Sequence, residues 1–282
     1  MQNLIEVKNA GFYYEAEKFC FRNLSFELAS SQTLAILGLN GQGKSTLMSC
    51  MMGILQPKEG EIVRKAKFAF LPQSFNVAFD YSVLDIVLMG RVREISLFSK
   101  PGKKDIQICL DALDTLGVAH LQKRSFNALS GGQRQLVLFA RAIASKSEIL
   151  FLDEPASALD IKNQDRVLSL IANLRSNSDA SIVFTTHQPN HALAVADRTL
   201  ILRNDLSYNY GVSNEILTEA ALSSLYGVQI KTAKFYRKSR QGAIKSCEFI
   251  LTSVVKFYLL MPNDGHFPIC TKGSAPCKLS RP

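Results

Sequence analysis

Gly38-Leu39-Asn40-Gly41-Gln42-Gly43-Lys44-Ser45 is the stretch that decides the fold. Before it stands Thr33-Leu34-Ala35-Ile36-Leu37, a short apolar run of the kind that forms a central, buried strand; after it, Ser45 to Leu55 reads as a helix that closes toward Pro57. Strand, glycine-rich turn and helix, with the spacing GxxxxGK[ST], make a phosphate-binding loop. Gly38, Gly41 and Gly43 let the backbone bend so that successive N–H groups face phosphate oxygens, and the helix dipole adds its positive end at the same point. Lys44 is placed to reach the outer phosphates and Ser45 to offer its hydroxyl oxygen to Mg²⁺, with Asn40 and Thr46 completing the set of nucleotide contacts.

Farther along, Ile149-Leu150-Phe151-Leu152-Asp153-Glu154 is an apolar strand that ends in two carboxylates. Strand ends are where an open parallel sheet presents its ligand groups. Asp153 is the expected Mg²⁺ partner, directly or through water, and Glu154 is placed to orient and polarise an attacking water. Strand patterns also occupy residues 4 to 36, 67 to 73, 181 to 187 and 199 to 203. Helical patterns fill about 81 to 129, where Ile106, Leu110 and Leu113 share a face and Gly117 stops the helix. Helices are further expected at about 132 to 145 and 164 to 174. Alternation of this kind argues an α/β chain with a mostly parallel sheet covered by helices.

The bulk composition agrees with one large globular domain: 282 residues, 47% hydrophobic and 20% charged. Neither a secretion leader nor the roughly 20 apolar residues of a membrane span is expected. Six cysteines, at 20, 50, 109, 247, 270 and 277, form no CxxC pair, which argues for a reducing, cytoplasmic setting. The net charge of +9 is concentrated in residues 231–282, whose ten Lys/Arg face only Glu248 and Asp264. The rest is almost neutral, so no nucleic-acid partner is expected. The basic tail reads as a solvated appendage, with contact to anionic lipid as the alternative.

Leu129-Ser130-Gly131-Gly132-Gln133 opens a further helix, with Ser130 as its N-cap and two glycines giving close backbone access. It is a second anion cradle. With this pentapeptide the sequence resembles the ATP-binding cassette family, in which LSGGQ is diagnostic, over residues 1 to 226. The resemblance implies a phosphate-loop NTPase cassette with a mostly parallel core sheet, an antiparallel β subdomain and a helical insert at about 81–135. It implies binding and hydrolysis of ATP with Mg²⁺, and a homodimer in which Ser130, Gly131, Gly132 and Gln133 of one chain close over the γ-phosphate held by Lys44 of the other. It also implies roles for Tyr14, stacking on adenine; Gln73, linking Mg²⁺ to a transmembrane partner; Asp160, communicating between the two sites; and His187, contacting the γ-phosphate. A neutral His187 imidazole donates one hydrogen bond to phosphate in that reading.

Two positions depart from the common pattern: Ala156 stands where relatives often have Thr, and Gln188 where Asp is frequent. His187-Gln188-Pro189, together with residues 82 to 91, resembles the importers of cobalamin, iron-siderophore and oxyanion type, and among these the molybdate/tungstate systems. That resemblance implies integral membrane permease subunits, an indirect link to an extracytoplasmic solute-binding protein, and a peripheral place on the cytoplasmic face of the inner membrane. The rival reading is a soluble cassette ATPase of repair, translation or iron–sulfur assembly; a single cassette without a heptad insertion argues against it. Residues 231–282 stand apart as an extension to the cassette of residues 1–230. Cys247, Cys270 and Cys277 in it lack the spacing of a zinc motif.

Overall fold

A computed structural model of the chain describes residues 2–16, 18–96, 99–157, 159–177, 179–238 and 244–252. It divides into two compact units, Met1–Ser213 and Asn214–Pro282. In chain order the first holds β1 (Asn3–Tyr13), β2 (Phe19–Ala29), β3 (Thr33–Leu37), α1 (Lys44–Met52), β4 (Glu59–Arg64) and β5 (Phe68–Leu71). These are followed by α2 (Val83–Leu88), α3 (Lys103–Thr115), α4 (Gly131–Ala144), β6 (Ile149–Leu152), α5 (Ile161–Asn177), β7 (Ser181–Thr186), α6 (Pro189–Val195), β8 (Arg198–Leu202) and β9 (Tyr208–Val212). A short α7 (Ser213–Ile216) leads into the second unit, with α8 (Glu219–Tyr226), β10 (Ile230–Lys238) and β11 (Ile244–Thr252).

The core sheet has the order β5-β6-β7-β3-β8-β9. Its first five strands are parallel, and β9 closes one edge antiparallel to β8. Every residue of β3, β6 and β7 is buried, as expected of strands covered on both faces. A second, antiparallel sheet has the order β2-β1-β4. Helix α1 shares one core with both sheets: Leu47, Met48 and Met51 pack in the same cluster as Phe21 and Leu28 of β2 and Phe151 and Val183 of the core sheet. Leu47, Met48, Cys50, Met51 and Met52 are all buried, so apolar residues surround most of this helix rather than one stripe. Gly53, at φ 75°, ends it in the left-handed conformation that glycine adopts without steric cost.

Helices α2, α3 and α4 pack on one another. Ser82 and Asp85 form a reciprocal capping box at the start of α2, and Gly117, at φ 69°, turns the chain after α3 as the sequence predicts. Buried Arg91 joins this bundle from inside: Nε donates to Asp105 Oδ1 at 3.1 Å and Nη1 to the Ala144 carbonyl at 3.1 Å. The buried face of α3 is Cys109, Ala112 and Leu113, whereas Ile106 and Leu110 are only half-buried. The helix is rotated so that Cys109 takes the interior, since a free thiol packs as a small apolar group. Burial pushes the Cys109 and Cys50 thiols up to about 11, so both are packing groups and not nucleophiles.

Strands β4 and β9 are absent from the sequence reading. Both are edge strands with half-exposed residues, Glu59-Gly-Glu-Ile-Val-Arg and Tyr208-Asn-Tyr-Gly-Val, and lack a long apolar signal. In the second unit the Glu219 carboxylate accepts from the Thr232 backbone N–H at 2.8 Å, which holds its carboxyl below the ordinary range. Beyond Tyr226, where regularity fades in the sequence, β10 and β11 pair antiparallel from Ile230↔Thr252 to Lys238↔Ile244. Lys256, Asp264, Cys270, Cys277 and the rest of the basic tail after Thr252 lie outside the described residues.

Candidate nucleotide site

Strand order builds the site. Strand β7 lies between β6 and β3, in a register that pairs Leu152 with Phe184 and Leu37 with Thr186. The residues that follow these positions therefore emerge side by side at the carboxyl ends: Gly38 after β3, Asp153 and Glu154 after β6, His187 after β7. Gln73 is exposed two residues beyond β5, next to the β6 end, where the Asp153 N–H donates to the Leu71 carbonyl at 2.9 Å.

The loop from Gly38 to Gly43 is held in shape by its own residues. Gly41 and Gly43 have φ of 82° and 80°, a conformation that favours glycine and turns consecutive N–H groups to one side. Gln42 is buried, and its Oε1 accepts from the Leu39 N–H at 2.5 Å. A Cβ on Gly38 would stand 2.6 Å from that oxygen, so Gly38 and Gln42 need each other. Lys44 Nζ donates to the carbonyls of Gly38 and Leu39 at 2.9 and 3.0 Å, which points the ammonium across the mouth of the loop. Asn40 and Gly41 lie exposed at its crown. Tyr14 is 68% exposed and its hydroxyl lies 3.4 Å from Thr46 Oγ1, so a flat aromatic face is open beside the start of α1.

The acidic pair is fixed by Thr185, a residue the sequence reading passes over. Its hydroxyl donates to Asp153 Oδ1 at 2.6 Å and accepts from the Glu154 N–H at 2.8 Å. The signal was available: Thr185 follows the apolar run Ile182-Val183-Phe184 in a strand that reads as buried, and a buried hydroxyl must find partners. Glu154 has φ 44°, an unusual conformation for a residue with a side chain and a form of stored backbone strain found at functional sites. Its Oε1 lies 3.4 Å from Lys44 Nζ and its Oε2 lies 3.2 Å from His187 Nδ1. A carboxylate oxygen only accepts, so Nδ1 is the protonated nitrogen in that contact, and a neutral His187 then has an acceptor at Nε2. Donation to a phosphate from Nε2 needs the imidazole to turn away from Glu154 or to take a second proton.

Ser45 Oγ donates to Asp153 Oδ1 at 3.1 Å. This hydroxyl and the carboxylate are a pair of hard oxygen donors with one protein carboxylate, and exposed Gln73, two residues beyond β5, is the further oxygen donor that the sequence assigns to them. Such a set suits Mg²⁺, which keeps several waters and takes few carboxylates. Among the described residues no cluster of three or more His, Cys, Asp or Glu is placed to hold a metal ion by itself.

Ser130, Gly131, Gly132 and Gln133 are not joined to this cluster by any hydrogen bond among the described residues. They cap α4, with Gln133 N–H donating to Ser130 Oγ at 3.4 Å and Ser130 N–H to Gln133 Oε1 at 3.1 Å. Gly131 is exposed, and a Cβ there would meet nothing within 4 Å. Asp160 caps α5 by accepting from the N–H and Nδ2 of Asn163 at 2.9 Å each, and a Cβ on Gly132 would lie 3.1 Å from Asn163 Oδ1. The amino ends of α4 and α5 thus stand together, away from Lys44 in the hydrogen-bond network. Ala156 is buried, and Gln188 is the N-cap of α6 without a side-chain capping bond; its own N–H donates to Thr186 Oγ1 at 3.0 Å.

The profile described as ABC transporter matches residues 21–157. Over 226 residues, 80% of this chain and 89% of its relative, the sequence is 50% identical to the molybdate import ATP-binding protein MolC of Haemophilus influenzae. It is 34% identical over 242 residues, 81% of this chain and 94% of the relative, to a probable iron chelatin transport ATP-binding protein of Helicobacter pylori. A solved structure, described as an inward-facing conformation of a metal-chelate type ABC transporter, superposes with a TM-score of 0.81 at 44% identity, covering 89% of this chain and 98% of the other.

Proposed function

The chain belongs to the ABC transporter family and is one of its ATP-binding ATPases, and on that premise we propose that two copies close around two ATP molecules to drive import of a metal-containing solute through a separate membrane-spanning subunit. The observation that carries this reading is the split of the phosphate-binding groups. Lys44, Glu154, His187 and the Ser45–Asp153 pair converge at one sheet end, while Ser130 and Gln133 cap each other around exposed Gly131 and bond to none of them. In this reading a second chain brings the phosphate that the Ser130–Gln133 segment meets.

In this reading Tyr14 stacks on the adenine, Asn40, Gly41, Gly43, Lys44 and Thr46 hold the phosphates, and Asp160 reports from one site to the other. Ser45, Asp153 and Gln73 hold Mg²⁺, which when bound neutralises charge on the β- and γ-phosphate oxygens. The γ-phosphate draws Lys44 away from Glu154, and the freed carboxylate orients the attacking water. Lys44, the partner's amides at the α4 start, and His187 once its ring has turned from Glu154 or gained a proton, then face the charge that develops on the phosphoryl group. Hydrolysis removes the bridge between chains and lets the dimer reopen.

The relatives' names support molybdate as cargo, with iron chelates second; tungstate, an oxyanion of the same shape and charge, belongs to the same reading. Among the described residues no helix is long and apolar enough to cross a membrane. In this reading the chain acts from the cytoplasmic face of the inner membrane, as the ATP-binding subunit of an importer, held there by its permease, with a solute-binding protein on the far side. Residues 1–230 are the cassette in this reading and 231–282 an extension to it. Uptake of molybdate, tungstate and ferric chelates in cells with and without the gene is the test. Loss of molybdate uptake supports the reading; unchanged uptake of all three, with the protein found on ribosomes or DNA, overturns it.

A further inference from the structure

Phe75 stands two residues after Gln73, and two side chains, Phe126 and Arg141, hold it. Its ring meets Phe126 edge to face, with centroids 5.9 Å apart and planes at 82°. The Arg141 guanidinium lies 4.4 Å from the Phe75 centroid and donates through Nη2 to the Phe70 carbonyl at 3.1 Å. Phe126 is almost fully buried, and its turn runs directly into Leu129 and the Ser130 cap. Arg134, in the first turn of α4, lies 5.9 Å from the Phe126 centroid and donates to the Asn127 carbonyl. Arg141 sits two turns farther along the same helix, and burial lowers its pKa.

A guanidinium stays charged at any physiological pH, and over an aromatic face in a partly dry setting its attraction to the ring is at the strong end of its range. Phe75 is thus bound on one side to the run-in of the Ser130 segment and on the other to the helix that this segment caps. The contact to Phe70 ties the same arginine to the strand that delivers Gln73. We propose that Phe75 is a positioning residue that makes the Gln73 loop and the Ser130–Gln133 cradle move together, so that Gln73 reaches its working place only when α4 is in its own. The proposal rests on the roles given above to Gln73 and to Ser130.

The test is steady-state hydrolysis of Mg-ATP by the full chain carrying Phe75→Ala, Phe75→Leu or Phe75→Tyr, alone and in a Gln73→Ala background, with thermal melting to check folding. Misplacement by about an ångström lowers turnover and leaves ground-state binding largely intact, so Phe75→Ala is expected to reduce kcat about tenfold or more with KM within about twofold. Phe75→Leu, which keeps an apolar side chain but has no ring face for Arg141, falls likewise, and Phe75→Tyr restores most of the rate. In the Gln73→Ala background Phe75→Ala costs less than about twofold more, because residues acting through one another are not additive. Independent, multiplicative losses in the two backgrounds would show a merely structural role and overturn the proposal. So would a parental kcat in folded Phe75→Ala and Phe75→Leu, with Gln73→Ala still impaired. A parental kcat in Gln73→Ala itself removes the underlying reading of Gln73, and this proposal with it.

Discussion

Lys44 Nζ stands 3.4 Å from Glu154 Oε1, and only 6% and 11% of the two side chains is exposed. The ammonium and the carboxylate, to which the proposed function gives the phosphate and the attacking water, thus form one partly desolvated pair across the ends of β3 and β6. Removing the charge of one partner leaves the other buried and uncompensated, which is costly. Glu154→Gln retains an oxygen acceptor of the same size and leaves Lys44 to the phosphates. It is expected to bind ATP at least as tightly as the parent and to lose turnover by about 100-fold or more, the scale of a general base. Nucleotide binding and phosphate release, measured on the same preparation, check this; a variant that hydrolyses at the parental rate removes Glu154 from the chemistry.

Gly41 and Gly43 share a positive φ but differ in surroundings. A Cβ on Gly43 would come 2.9 Å from the Cys20 carbonyl oxygen, whereas one on Gly41 would meet nothing within 4 Å. Gly41→Ala therefore carries backbone strain alone, on the order of 1–3 kcal/mol. Gly43→Ala adds a collision with main chain that cannot swing aside. The Gly43 variant is expected to melt lower than the Gly41 variant and to bind ATP more than about tenfold more weakly than it does, because the collision displaces the N–H groups that face phosphate. Equal melting points for the two would show that Cys20 yields.

Thr185 is one hydroxyl with two duties, to Asp153 Oδ1 and to the Glu154 N–H. Thr185→Val has nearly the same shape and leaves that N–H without its partner, a loss of about 1–3 kcal/mol for a buried donor. With both carboxylates loosened, kcat is expected to fall roughly tenfold. Thr185→Ser restores the hydroxyl and should recover most of both quantities. Chemical denaturation and turnover measured on the pair provide the check; a fully active, fully stable Thr185→Val would mean that water replaces the hydroxyl.

His191 lies buried on α6 with Nδ1 3.5 Å from Thr186 Oγ1, in a cavity whose other titratable lining residues are Glu154 and His187. Burial, and secondarily the nearby His187, pushes its pKa below the ordinary 6.5. The unfolded chain then takes up a proton near pH 6.5 that the folded chain refuses. Stability contributed by this group is present above pH 6.5 and declines as the pH falls below it, by up to about 1.4 kcal/mol per pH unit for one proton. Urea unfolding at pH 7.5 and pH 5.5 should show a smaller difference for His191→Gln than for the parent. The same pH slope in both would place the effect elsewhere.

Much of this molecule is legible in local text. Gly38 to Ser45, Asp153-Glu154 and Leu129 to Gln133 are contiguous, so the spacing that names each motif also sets its local geometry: a left-handed glycine turn, a strand end, a capped helix start. The alternation of strands and helices likewise specifies a mostly parallel sheet, since parallel neighbours need a crossover between them. Edge strands β4 and β9 escape notice because half-exposed residues carry little periodic signal.

Strand order was decided only in three dimensions. Placing β7 between β6 and β3 sets Thr185 against the Asp153 carboxylate and the Glu154 N–H, brings Lys44 to Glu154 and aims His187 Nδ1 at the same acid. Packing α4 against the loop after β5 closes Arg141 and Phe126 on Phe75. These contacts join residues 31 to 110 positions apart, as the separations Glu154 to Thr185 and Lys44 to Glu154 illustrate. A sequence pattern reports which face of an element is apolar, and that is a property of neighbours along the chain. Which element covers that face depends on how the crossovers stack, and no local spacing encodes it.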